Sequence, residues 1–188
     1  ETGKITRLDI AKQATLTAVD LLNDESRLGI VVFDSVAHVL LPMLPRKDEE
    51  AVRAAIGPLV PGGGTAIHPG LELGLGMFQG VNASAKHIVV MTDGLSQEAD
   101  FTALFALAKQ AGITISAIAI GVSADIRQPK EIAAKGGGAF YATADFKALP
   151  SILSQETLML QGSPVQERTA AVAWVDRNAD FLTGLPNA

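Results

Sequence analysis

KHIVVMTDG, residues 86–94, decides the fold of this chain. Ile88, Val89, Val90 and Met91 form a short run that is apolar on both faces, as a strand buried on both sides of a parallel sheet requires. Asp93 follows where such a strand leaves the core, at the carboxyl edge where open α/β sheets place their ligand sites. Upstream, PGGGTAIHPG (residues 61–70) sets Thr65 in a glycine-rich loop just ahead of a helical segment. A carboxylate at a strand end and a hydroxyl on a nearby loop are hard oxygen donors, suited to Mg²⁺ or Mn²⁺.

Outward from this stretch, helix and strand signals alternate. Leu8, Ala11, Thr15, Ala18 and Leu22 recur at helical spacing within residues 6–23. Residues 28–34 read as a strand, and Asp34-Ser35 as a tight turn into an edge strand at 36–43. Asp48, Glu49 and Glu50 suit the amino end of a helix that runs to about Pro58. A helix to about Phe78 follows the glycine loop. Asp100 reads as the N-cap of a helix over 101–111, with Gly112 ending it. Residues 114–121 form another buried strand, 125–135 a helix and 138–144 a strand. A helix over 145–154, capped by Asp145, closes the pattern. Strands separated by helices predict an α/β fold: a doubly wound, mostly parallel sheet with helices on both faces and one antiparallel edge strand.

Composition narrows the class of function. The 188 residues, 48% hydrophobic and 5% aromatic, suit one aliphatic α/β core. A net charge of −5 without a cluster of Lys or Arg argues against a nucleic-acid partner. With no cysteine there is no disulfide framework and no thiol chemistry. No stretch approaches the ~18 apolar residues of a membrane span, and ETGKITR at the amino end lacks a basic-then-apolar signal pattern. An anchor or export signal is therefore expected outside these residues.

After about Gln155 the alternation weakens. Gly162-Ser163-Pro164 is a linker signal, followed by a lone strand-like run at 170–175 in which Trp174 is expected to pack against the main body. The chain thus divides into a domain over residues 1–157 and a tail or linker over 158–188.

The ordered motifs GKITRLDIAKQA, SRLGIVVFDS, VPGGGTAIHPGLELGL, HIVVMTDG, ITISAIAIG and IAAKGGGAFYAT resemble a bacterial von Willebrand factor type A domain. The resemblance covers residues 1 to about 157. It implies a Rossmann-like fold and a metal-ion-dependent adhesion site holding Mg²⁺ or Mn²⁺, whose open coordination position accepts an acidic side chain from a protein partner. Thr65 resembles the family's loop threonine and Asp93 its strand-end aspartate, which makes these two the candidate metal ligands. The resemblance also implies a soluble domain of a membrane-anchored bacterial protein, on either the periplasmic or the cytoplasmic side.

One element of the family pattern is missing. Its first strand, carrying an Asp-x-Ser-x-Ser loop, should precede the first helix, and that motif occurs nowhere in this sequence. Three expected ligands are then absent, and Thr65 with Asp93 alone should hold a cation weakly, leaving the site empty in this chain. The absent strand would occupy a central slot between residues 30–33 and 88–91. Orphaned backbone groups there would cost about 1–3 kcal/mol each, so some segment must pair with them. Residues 169–175 are strand-prone and otherwise unassigned, and they are expected to fill the slot, from the same chain or from a strand-swapped second copy. A parallel entry would carry Asp176, Asn178 and Asp180 toward the missing loop, although Asp-Arg-Asn is also ordinary turn chemistry.

Plainer roles compete at each position. Asp93-Gly94 is a common turn, Thr65 suits a helix cap, and Asp34 suits a turn. His68 fits a solvated helix start, while His38 and His87 fit structural strand positions. Gly62-Gly63-Gly64 lacks the Lys of a phosphate loop. Ser96 follows Asp93 closely enough to line the site but has no partner pattern of a nucleophile. Two function classes stay open. One is a non-enzymatic, protein-binding adhesion module, and the other is a metal-dependent phosphohydrolase using Asp93 and Thr65.

Overall fold

A computed structural model describes residues 6–45, 48–60, 62–93, 96–121, 126–161 and 169–176, the last group by backbone alone. The strands are β1 (Arg27–Phe33), β2 (Ala37–Pro45), β3 (Ala85–Thr92), β4 (Ile113–Ile120), β5 (Gly137–Thr143) and β6 (Thr169–Asp176). The helices are α1 (Arg7–Leu21), α2 (Glu49–Ile56), α3 (Ile67–Gly76), α4 (Thr102–Ala111), α5 (Arg127–Gly136) and α6 (Leu149–Gln161), with a 3₁₀ turn at Phe146–Ala148. The six strands form one sheet in the order β2-β1-β6-β3-β4-β5. Every pairing is parallel except β1 with β2, the antiparallel edge expected from the Asp34-Ser35 turn.

The faces of the sheet sort the core into two clusters, because successive strand residues point to opposite sides. Ile30, Val32, Val89, Met91, Ile118 and Ile120 pack with Leu8, Val19 and Leu22 of the α1 region and with Leu149 and Leu153 of α6. On the other face Val31, Phe33, Ile88, Val90, Ile115 and Ala117 pack with Ile67 and Leu71 of α3, Leu104 of α4 and Ile132 of α5. Helices on both faces explain why β1, β3 and β4 read as continuous apolar runs rather than alternating ones.

Local signals start and stop the helices. Thr6 and Asp9 form a reciprocal capping box on α1, with Asp9 N donating to Thr6 Oγ1 (3.1 Å) and Thr6 N donating to Asp9 Oδ2 (2.9 Å). These bonds from Thr6 hold the Asp9 carboxyl below its ordinary pKa. Lys12 reaches from α1 to the carbonyls of Gly57 and Leu59 (2.8 and 2.7 Å) and so satisfies the end of α2. The N-cap of α4 is Phe101 rather than Asp100; Asp100 Oδ1, one residue earlier, accepts from Thr102 N (2.9 Å), and Gly112 ends that helix in the left-handed region.

Most strand and helix ends shift by one or two residues from the sequence reading, and the last helix differs more. Asp145 caps the 3₁₀ turn through Lys147 N (2.9 Å) rather than α6 itself. α6 then runs on to Gln161, past Ser154, where the closing helix was expected to end, and past Gln155, where the pattern was expected to fade. Leu149 and Leu153 bury its first half, while its last turns lack a Gly or Pro stop until Gly162.

The central slot is occupied from within the same chain. β6 pairs with β1 from Arg27↔Ala170 to Phe33↔Asp176, and with β3 from Ala85↔Thr169 to Val89↔Ala173. The backbone groups of β1 and β3 that face the slot thus find ladder partners. Asn178 and Asp180 lie outside the described residues, as do the side chains of Trp174 and Asp176.

Candidate metal and partner site

The carboxyl edge of the sheet brings three connections together. β1 ends in Asp34-Ser35, the glycine loop leads into α3, and β3 ends in Asp93 with residues 96–101 leading to α4. Asp34 makes its turn as its composition predicts: its N–H donates to the Val36 carbonyl (2.9 Å) and its Oδ1 accepts from Val36 N (3.1 Å). Its own carbonyl accepts from Ala66 N (2.7 Å), and the Ser35 hydroxyl donates to the Gly63 carbonyl (2.9 Å). The turn is therefore a rail against which the glycine loop lies.

That contact explains two of the glycines. A Cβ on Gly62 would sit 2.5 Å from Asp34 Oδ2. Gly64 has φ of +90°, and a Cβ there would collide with Ser35 Oγ. Both the left-handed backbone and the close approach exclude a side chain at Gly64. Gly63 has open space around its Cα, so the three glycines are not equivalent.

The other side of the loop is tied to Ser96 and Gln97, which follow Asp93 in the chain. Gln97 N donates to the Thr65 carbonyl (3.3 Å), and Ile67 N donates to Ser96 Oγ (3.4 Å). The N-cap position of α3 is Ala66, which has no side-chain acceptor, and the Ser96 hydroxyl serves the first helical N–H instead. Capping thus falls to a residue distant in sequence, a role that local pattern could not reveal. Thr65 is 3% exposed, and Asp93 is partly exposed with a buried Oδ1. The hydroxyl of Ser96 is engaged by backbone groups, Ile67 N and the Gln97 carbonyl (3.3 Å), rather than by a histidine or carboxylate.

Beside these loops lies an open groove of about 540 Å³, lined by Ser96, Glu98, Asp100, Arg127, Gln128 and Glu131. Hydrogen bonds from Thr102 hold the exposed Asp100 carboxyl below its ordinary pKa. Glu131 is paired with Lys135 (2.6 Å). Gln128 Nε2 donates to the Gln97 carbonyl (3.2 Å), which orients the amide, and its Oε1 is buried without a hydrogen-bond partner among the described residues. His68, on the first turn of α3, stacks at a tilt on Phe101 with ring centroids 5.3 Å apart.

The donor set fits a hard divalent cation in kind and falls short in number. Asp93 and Thr65 offer a carboxylate and a hydroxyl, the ligand types Mg²⁺ and Mn²⁺ take. Among the described residues no three His, Cys, Asp or Glu side chains gather to hold a metal. Also among those residues, no helix is long and apolar enough to cross a membrane.

Comparison with known proteins places this architecture. The chain is 29% identical over 191 residues to the mouse (Mus musculus) calcium-activated chloride channel regulator 3A-1, an alignment covering 92% of this chain and 20% of that protein. The chain therefore spans about a fifth of the length of that relative. A solved von Willebrand factor type A structure from Catenulispora acidiphila superposes with a TM-score of 0.75 at 24% identity, covering 84% of this chain and 39% of that one. Proximal thread matrix protein 1 from the mussel byssus, solved with a zinc-occupied metal-ion-dependent adhesion site, superposes with a TM-score of 0.62 at 25% identity, covering 79% and 41%. A sequence profile of the von Willebrand factor type A domain matches residues 3–155. With its doubly wound sheet, its antiparallel edge and that match over most of its length, this chain belongs to the von Willebrand factor type A domain family.

Proposed function

We propose that this domain is a protein-binding module of the adhesion type, within a larger bacterial envelope-associated protein, that engages its partner through a divalent cation at the carboxyl edge. Thr65 and Asp93 are the residues that would hold Mg²⁺ or Mn²⁺, and the cation would supply an open position for an acidic side chain of the partner. The observation that carries this reading is the cross-tie between the two loops, Gln97 N to the Thr65 carbonyl and Ile67 N to Ser96 Oγ, which joins the Thr65 loop to the Asp93 strand end. The zinc-occupied site of the mussel relative supports divalent binding in this fold.

Charge explains why a cation is needed. Glu98, Asp100 and Glu131 line the adjacent groove against Arg127. An acidic partner approaching that edge meets like charge, and only a cation reverses the local field. Two protein oxygens plus water make a loose shell, so binding by this domain is weak.

Mn²⁺ titration followed by paramagnetic broadening of amide resonances tests the reading. Broadening centred on residues 65 and 93, and lost in Asp93→Ala and Thr65→Val, is the expected result. Uniform broadening, or broadening centred on the acidic groove and unchanged in both variants, sinks it.

A further inference from the structure

Under α6 lies a buried polar cluster that the metal site does not use. His87 on β3 is 3% exposed and Glu156 on α6 is 5% exposed. His87 Nε2 lies 3.0 Å from Glu156 Oε2, and Nδ1 lies 2.6 Å from Thr114 Oγ1 on β4. Tyr141 OH on β5 donates to Glu156 Oε1 (2.6 Å), and the Ser116 hydroxyl on β4 bonds to the same carboxylate. One glutamate thus fastens α6 to three strands. As a carboxylate it accepts from these donors, and protonation turns one of its acceptor sites into a donor and removes the charge that strengthens the remaining bonds.

The C-terminal half of α6 otherwise rests on α1 through the half-buried Leu160. Among its described side chains the buried ones are Glu156 and Thr157, both polar, while Leu158 and Met159 are each 54% exposed. This reverses the usual amphipathic order, in which apolar residues face the core. Thr157 Oγ1 bonds back to the Leu153 carbonyl (2.8 Å), within its own helix rather than to the sheet. Beneath the half-helix a gap of about 40 Å³ remains between α1 and α6, lined by Ala18, Val19, Leu22, Val89, Leu153 and Leu160. The apolar contact here is incomplete, so the polar cluster carries the attachment.

We propose that the C-terminal half of α6, residues 154–161, is an acid-released strap whose catch is the Glu156 carboxylate. Protonation of Glu156 opens the catch, and the half-helix lifts from β3, β4 and β5 while Leu149 and Leu153 keep the first half seated. The groups facing the catch are few. β3 offers His87, with Lys86 directed away to the Ala111 carbonyl (3.4 Å); β5 offers Tyr141; and β4 contributes only the hydroxyls of Thr114 and Ser116. α1 turns Thr15, Ala18, Val19 and Leu22 toward α6. The β6 residue paired with His87 is Ala171, and Lys147 of the 3₁₀ turn is more than two helical turns from Glu156. Glu156 is the sole ionisable residue of α6. Its carboxyl lies below its ordinary pKa: burial pushes it up, and the hydrogen bonds from His87, Tyr141 and Ser116 outweigh that push. Release therefore belongs below about pH 4.5.

Hydrogen-exchange protection factors measured from pH 7 to pH 3, corrected for intrinsic exchange, test the strap. The expected result is a tenfold or greater loss of protection over residues 154–161 as pH falls, with α3 and α4 unchanged. Glu156→Gln should show that low protection at every pH. Tyr141→Phe, which keeps the carboxylate and removes one donor, should move the transition to higher pH. Loss of protection in α6 only together with α3 and α4, or full protection of residues 154–161 down to pH 3, overturns the proposal.

Discussion

At the carboxyl edge of the sheet, Thr65 and Asp93 sit on loops shaped by backbone hydrogen bonds and by glycines that leave room for a neighbouring turn. Under α6, His87, Thr114, Ser116, Tyr141 and Glu156 satisfy one another among side chains, with His87, Ser116 and Glu156 almost out of reach of solvent. The first arrangement is the one proposed above to hold a cation, with Thr65 buried and Asp93 partly exposed. The second closes its polar groups on themselves and stabilises the packing of a helix. A buried carboxylate is costly unless donors surround it, and Glu156 has them in protein side chains.

Substitutions should separate the two regions. The largest effect is expected for Glu156→Ala, which strips His87 and Tyr141 of a shared acceptor in a buried setting. Removal of one partner of a buried pair costs roughly 3–5 kcal/mol, readable as a lower urea midpoint at constant m. A loss under about 1 kcal/mol would mean that the cluster is not holding α6.

Next in size is the glycine loop. Gly64→Ala forces a side chain into the left-handed region and against Ser35, and strain of this kind costs about 1–3 kcal/mol. Gly63→Ala meets nothing within 4 Å and should stay within about 0.5 kcal/mol of the parent. Equal effects at the two positions would show that the rail formed by Asp34 and Ser35 does not shape the loop.

The pH dependence of stability is smaller and has a definite sign. Glu156 is lowered in the folded state, so its contribution is fully present above its unfolded value near 4.5 and is lost as pH falls through the folded value. Tyr141 is pushed up to about 12, by burial first and then by the Glu156 carboxylate, so its contribution holds below pH 10 and is lost as pH rises toward 12. Tyr141→Phe should remove the alkaline limb, and an unchanged limb would assign it to other groups.

The smallest change in stability is expected at the candidate site itself. Asp93→Ala should alter the unfolding free energy by less than about 1 kcal/mol while abolishing the Mn²⁺ broadening described above. A large loss of stability with broadening intact would reverse the assignment of the two regions.

Much of the carboxyl edge was legible in the residues. Asp93 at the end of an apolar run and Thr65 after three glycines are local patterns, and their chemistry follows from residue type and position. Asp34 and Ser35 were read as a turn and do form one. Their second role against Gly62 and Gly64 depends on a neighbour nearly thirty residues away. The cluster under α6 was not legible: His87, Glu156 and Tyr141 are separated by up to sixty-nine positions, and no spacing rule connects a strand histidine to a helix glutamate. Glu156 lies just past Gln155, where the apolar pattern weakens, and nothing in its neighbourhood of sequence marks it as buried.

The sequence by itself determined the alternation of buried strands and helices, the antiparallel edge, the family, and the expectation that residues 169–175 would enter the central slot. These rest on periodicity, on turn chemistry and on the rule that backbone groups in a sheet must be paired, all of which act over short stretches or on general grounds. Tertiary structure alone decided that β6 enters from the same chain in parallel register, that Ser96 serves the amino end of α3, and that one glutamate of α6 gathers donors from three strands. Each of these depends on which elements the sheet order makes neighbours, and a hydrogen bond across the core is specified by that proximity rather than by spacing along the chain.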